Sequence, residues 1–105
     1  MIKVKLAYHD EALTYIKVSG HANSDEYGKD LVCAGVSTII VGVYNTLEKL
    51  GMLEIGTFKV KEGLAEFTIH KITRESQLIL ETLVTTLETI EMSYGDFIQI
   101  QKMEE

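Results

Sequence analysis

Cys33, the single cysteine of the chain, lies twelve residues after His21, and both fall in one patterned segment. That segment reads Gly20-His21-Ala22, runs on to Lys29, and continues Asp30-Leu31-Val32-Cys33-Ala34-Gly35-Val36-Ser37. A thiol attacks carbon as the thiolate, and a helix N-terminus beside an imidazole is a setting that lowers a thiol pKa. Asp30 is a fitting N-cap, which places Cys33 at the third helical position, among backbone N–H groups with no intrahelical acceptor. Such groups stabilise an anion, so N–H groups near Cys33 and Ala34 are candidate donors to the oxyanion of a tetrahedral intermediate. His21 is the candidate base, taking the thiol proton and later returning it to a leaving amine. Asp30 has two readings, as a helix cap or as a third catalytic member that orients His21.

Each of these residues also has a plainer reading. A lone cysteine in an apolar helical run is commonly a small core hydrophobe. His21 then simply ends a strand at the surface, and Ser37 satisfies its hydroxyl on the helix backbone. Asp25 and Glu26 read as solvated loop charges, and His9 and His70 as surface residues. In favour of chemistry, the stretch 20–29 is polar and bracketed by Gly20 and Gly28. It reads as a mobile loop, long enough to fold His21 back over the helix start and to leave the thiol open to solvent.

The elements that must position these groups follow from periodicity. Ile2, Val4, Leu6 and Tyr8 alternate with Lys3, Lys5 and Ala7, a strand with one buried face. Residues 9–12 form a turn, and 13–19 a second strand with Thr14, Ile16 and Val18 on one face, so a hairpin is expected. A helix of about twenty residues should run from an Asp30 cap to Gly51 at C′. Its first half is apolar nearly all round, which implies burial on more than one side, with a second subunit as one possible cover. Gly35 and Gly42, seven apart, would permit close approach there or against the sheet. Residues 55–61 and 64–70 read as a second hairpin turning at Glu62-Gly63. A second helix starts near Thr73, with Ile79, Leu80, Leu83, Val84, Leu87 and Ile90 as its apolar stripe, and ends at Tyr94-Gly95. Residues 97–101 form a last short strand. The order ββαββαβ predicts an α+β two-layer sandwich, a mostly antiparallel sheet covered by two helices on one face.

Composition narrows the class. The 105 residues suit one domain, and 46% hydrophobic with 25% charged residues is ordinary globular composition. Ten basic and sixteen acidic residues give a net charge of −6, which argues against a phosphate-backbone partner, whose recognition needs clustered Lys and Arg. One cysteine excludes an internal disulfide and a multi-thiolate zinc site, and no cofactor or metal is expected. The N-terminus alternates apolar and charged residues, unlike a signal peptide. The longest near-apolar run, 31–44, reads as too short to span a bilayer, so no membrane association is expected and the cytoplasm is the default location.

The segment as a whole resembles the ribosomal-processing cysteine protease family Prp. The match is carried by Gly20, His21, Ala22, Gly28, Asp30, Val32, Cys33, Ala34, Val36 and Ser37. Length, element order and acidic balance agree, so the resemblance covers the whole chain. It implies a homodimer that uses Cys33 as nucleophile and His21 as base, with Asp30 a weaker carry-over as orienting acid. Gly20, Ala22, Gly28 and Ser37 would then border the substrate. The family removes a short N-terminal extension from the twenty-seventh large-subunit ribosomal protein, cutting after an aromatic residue in a short hydrophobic motif. A mobile loop would open and close a peptide groove, and an acidic protein would weakly steer a basic ribosomal substrate. Two rivals stand beside this reading. One is a non-catalytic ribosome-assembly module with a packed Cys33. The other is a redox sensor, which would act without any resolving cysteine in the chain.

Overall fold

In the computed structural model, which describes residues 1–20 and 29–103, the alternating N-terminal sequence becomes a hairpin. Strand β1 (Ile2–His9) turns through Asp10 and Glu11, both at positive φ (49° and 70°), into strand β2 (Ala12–Ser19). Both residues tolerate the left-handed region a two-residue hairpin requires, Asp more readily than Glu. The register slips between Ala7 and Tyr8, where Tyr8 pairs with Leu13 and Ala7 with Tyr15, leaving Thr14 as a bulge. The bulge changes which side chains face inward. Leu13, Ile16 and Val18 are buried, and Thr14 is not, contrary to simple alternation. The Thr14 hydroxyl donates to the Ala7 carbonyl at 3.2 Å. Gln77 meets the Leu13 backbone twice, accepting from its N–H at 2.8 Å and donating to its carbonyl at 3.0 Å, so one amide ties the bulge to a helix 64 residues away.

Helix α1 (Lys29–Lys49) begins earlier than expected, so Asp30 lies inside the first turn and not at the cap. It ends as expected. Gly51, at φ +68°, donates to the Glu48 carbonyl at 3.1 Å, and Met52 donates to Leu47 at 2.8 Å, a Schellman closure. A short 3-10 turn (Leu53–Ile55), not anticipated from periodicity, leads into strand β3 (Gly56–Lys61). β3 turns at Glu62-Gly63 into strand β4 (Leu64–Ile69). Helix α2 (Arg74–Tyr94) starts at Thr73 through a reciprocal box, with the Ser76 N–H donating to Thr73 Oγ1 at 3.1 Å. Strand β5 (Ile98–Met103) closes the chain.

The sheet order is β3-β4-β2-β1-β5, antiparallel except for the β1–β5 pair. The predicted α+β two-layer arrangement is the one observed. One face of the sheet carries Val4, Leu6, Ile16, Val18, Phe67 and Ile98, all buried under the two helices. Val32, Val36, Ile40, Val43 and Leu47 of α1, and Leu80, Leu83, Val84 and Leu87 of α2, complete that core. At about 1.5–3 kcal/mol for each fully buried large side chain, this layer is the main term favouring the fold. Gly35 faces Ile90 of α2, whose Cδ1 lies 3.5 Å from where a Cβ would stand, while Gly42 meets nothing within 4 Å. Neither glycine therefore serves close packing against the sheet. The free edge of β5 is blunted by Glu91, which accepts from the Ile100 N–H at 2.7 Å.

α1 also corrects the bilayer argument. As formed, Asp30–Lys49 is long and apolar enough to cross a membrane by length and composition, with a mean hydropathy of 1.5. A core helix of a soluble protein passes the same test, and the Val32-to-Leu47 row of α1 is sealed against the sheet. Leu31 and Val41 remain outward, 58% and 42% exposed.

Candidate active site

The start of α1 and the β3–β4 turn face each other across an open groove of about 350 Å³. Its floor is the sheet, with Val18 paired to Ala65 on one side and Ile2 lying two residues before Val18's other partner, Val4. One wall is α1, which presents Cys33, Val36, Ser37 and Ile40 at helical spacing. The other wall is the hairpin tip, with Val60 and Leu64 flanked by Lys61 and Glu62. An apolar trough with a thiol in its wall and charges along its rim suits an extended peptide whose side chains are largely hydrophobic.

Cys33 is half-buried and touches the core on its inner side. It is the fifth residue of α1, two positions further into the helix than expected. Side chains on a helix lean toward its N-terminus, so the thiol lies over the first turn, whose N–H groups are the ones without an intrahelical acceptor. The N–H groups of Cys33 and Ala34, expected as oxyanion donors, fall where the helix ladder has begun, opposite the carbonyls of Lys29 and Asp30. Ser37 and Ala34 are exposed on α1, Ser37 in the groove wall one turn beyond Cys33. Asp30 is exposed in the first helical turn.

Gly20 borders the groove at the end of β2 and is locked in place. Its N–H donates to the Gly63 carbonyl at 3.1 Å, its φ is +95°, and a Cβ there would lie 2.5 Å from the Met1 carbonyl oxygen. Only glycine fits this corner. His21, Ala22 and Gly28 lie outside the described residues, so the thiol, the helix start and Gly20 are the parts of the expected constellation brought together. Periodicity gave no sign of the groove's second wall. Residues 60–65 read only as a hairpin, and a long-range pairing between β4 and β2 sets them opposite Cys33. No group of three or more His, Cys, Asp or Glu able to hold a metal occurs among the described residues.

Comparison with known proteins agrees with this geometry. The family model described as cysteine protease Prp matches residues 1–99. The ribosomal processing cysteine protease Prp of Bacillus subtilis is 34% identical over 102 residues, covering 88% of each chain. The Staphylococcus aureus protein of the same name is 35% identical over 104 residues, covering 95% of this chain and 97% of that one. A crystal structure of an essential ribosomal processing protease Prp from S. aureus in complex with a substrate peptide superposes with a TM-score of 0.85 at 31% identity, covering 98% of this chain and all of that one. A second, with a covalently linked product peptide, gives 0.84 at 33% identity and the same coverage.

Proposed function

The chain belongs to the cysteine protease Prp family and is a cysteine protease, and from that premise we propose that it removes the N-terminal extension of the twenty-seventh large-subunit ribosomal protein. The observation that carries this is the thiol of Cys33 set in the wall of an apolar, peptide-sized groove at the start of a helix. In the proposed reaction His21 takes the Cys33 proton, and Cys33 Sγ attacks the carbonyl carbon of the aromatic residue that precedes the scissile bond. A C–S bond forms, and the carbonyl electrons move to an oxyanion held by N–H groups of the first turn of α1. Collapse breaks the C–N bond as His21 protonates the leaving amine, and water then hydrolyses the thioester with His21 as base. Asp30, exposed in the first turn, orients His21 in this reading. Gly20, Ala22, Gly28 and Ser37 border the bound peptide.

The test is cleavage of the ribosomal protein precursor from the same genome, read as product mass. A product shortened by the extension supports the assignment, and an intact precursor that carries an extension overturns it. His21→Ala should lower kcat about 10²–10⁴-fold, the usual contribution of a positioned base, with peptide Kd changed less than severalfold. An unchanged kcat would assign the proton transfer to another group.

The protein acts in this proposal as a cytoplasmic homodimer of one-domain chains. The outward apolar residues of α1, Leu31 and Val41, support α1 as the shared surface. Light scattering should return twice the 11.8 kDa of one chain. A monomer mass throughout the micromolar range would leave that face to another role.

A further inference from the structure

Whole-chain charge speaks against a nucleic-acid partner, but it averages over faces that the register of the sheet keeps apart. On the face of the sheet away from the helices, Lys5 stands opposite Lys17, and Lys17 opposite Glu66, which stands opposite Lys59. One row over, Lys3 pairs with Ser19 and Gln99, and Lys61 with Leu64. Among the described residues, five lysines thus share this face with a single paired carboxylate, Glu66. Lys3, Lys5, Lys59 and Lys61 are exposed and Lys17 is half-buried.

The arrangement is not what solubility or edge protection alone would produce. Edge strands are commonly guarded by lysine, but β1 and β2 are interior strands. Like charges directly opposite one another destabilise a sheet, yet Lys5 and Lys17 are such a pair in a chain rich in carboxylates. The one carboxylate paired on this face among the described residues is already engaged. Glu66 accepts the Tyr15 hydroxyl at 2.5 Å and lies 4.0 Å from Lys59. The Tyr15 phenol is pushed up to about 12, first by partial desolvation and then by Glu66, so it remains a neutral donor.

We propose that this open sheet face docks on the phosphate backbone of RNA. With strands about 4.8 Å apart and alternate residues about 6.6 Å apart, the lysines form a flat lattice of point charges that matches a chain of phosphates. A single phosphate or carboxylate would call for the bidentate fork of arginine, and the face carries none. An anionic membrane is usually held with inserted apolar side chains as well, and among the described residues no large exposed hydrophobe occupies a strand position between the lysines of this face. The choice of RNA rests on the proposed ribosomal substrate, because a protease that meets its substrate at a ribosomal particle meets RNA there; Lys3, Lys5, Lys17 and Lys59 are not among the groove's lining residues, and Lys61 stands at the hairpin tip that the groove and this face share.

The experiment is fluorescence anisotropy of the full chain with a fluorescein-labelled RNA hairpin of mixed sequence, titrated across salt. Log K against log salt should fall with a slope of about −3 to −5, as expected for some five neutralised phosphates. The Lys5→Gln/Lys17→Gln variant should bind about tenfold more weakly with a slope reduced by about 2. Its Tm should be no lower than wild type, because a like-charge pair is gone. Lys49→Gln/Lys71→Gln, off this face, should match wild type, and all three proteins should cleave an isolated precursor peptide equally. No binding at low salt, a slope unmoved in the Lys5/Lys17 variant, or tighter binding to phosphatidylserine vesicles or duplex DNA than to RNA would each overturn the proposal. Failure of wild type to cleave the peptide would instead strike the protease assignment, and the two results are read independently.

Discussion

Cys33→Ala should abolish precursor cleavage, lowering kcat/KM by roughly 10⁵–10⁶-fold, the scale seen when a covalent nucleophile is removed. The residue supplies the only thiol in the chain, so no neighbouring cysteine can substitute. Cys33→Ser should be nearly as inactive, because a hydroxyl at ordinary pKa is a far weaker nucleophile than a thiolate. The fold should survive either change. Cys33 is only half-buried, and the α1 row that seals the core is Val32, Val36, Ile40, Val43 and Leu47. Loss of one sulfur at a partly exposed site should cost about 1 kcal/mol or less. Peptide affinity should also persist, since the groove floor and hairpin wall are untouched. Activity retained in Cys33→Ala would disprove covalent catalysis at this residue, whereas lost activity with a collapsed Tm would show only that the position is structural. Thermal melts and peptide binding on the same sample separate these outcomes.

What was legible in the sequence, and what was not, divides along the range of the interactions. The order ββαββαβ follows from local periods, and the start of α2 from a Thr73/Ser76 cap three residues long. The C-terminal closure of α1 follows from Gly51 in the same way. The start of α1 is not fixed by Asp30, which is as acceptable in a first turn, where its charge complements the helix dipole, as at a cap. Strict alternation points Thr14 inward because it cannot foresee a bulge, which a glutamine 64 residues distant helps to satisfy. The site shows the same split. Cys33, Ser37 and Gly20 were recognisable from their own segment. The hairpin wall at 60–65 was not, because it depends on β4 choosing β2 as its neighbour. The lysine face is the extreme case: Lys3, Lys5, Lys17, Lys59 and Lys61 are scattered over three strands, and register alone sets them on one face.

Gly20→Ala is expected to damage both stability and cleavage, and the reasons are separable. At φ +95° an L side chain costs about 1–2 kcal/mol in backbone strain. A Cβ 2.5 Å from the Met1 carbonyl oxygen adds a clash with backbone, which cannot rotate away as a side-chain tip would. Relief requires β1 and β2 to separate at their shared end or Gly20 to rotate, and rotation gives up its hydrogen bond to the Gly63 carbonyl. A total near 3 kcal/mol would lower Tm by roughly 10–20 °C in a domain of this size. Gly51→Ala is the matched control: its φ is +68°, but nothing lies within 4 Å of the added carbon, so it should show strain without clash and normal cleavage. Gly20→Asn should not rescue, because asparagine tolerates positive φ but brings the same Cβ. Any relaxation at Gly20 also moves the point from which the chain departs toward His21, so kcat should fall beyond what the unfolded fraction explains. Gly20→Ala with the Tm loss of Gly51→Ala and full activity would show that this corner neither clashes nor contributes to cleavage.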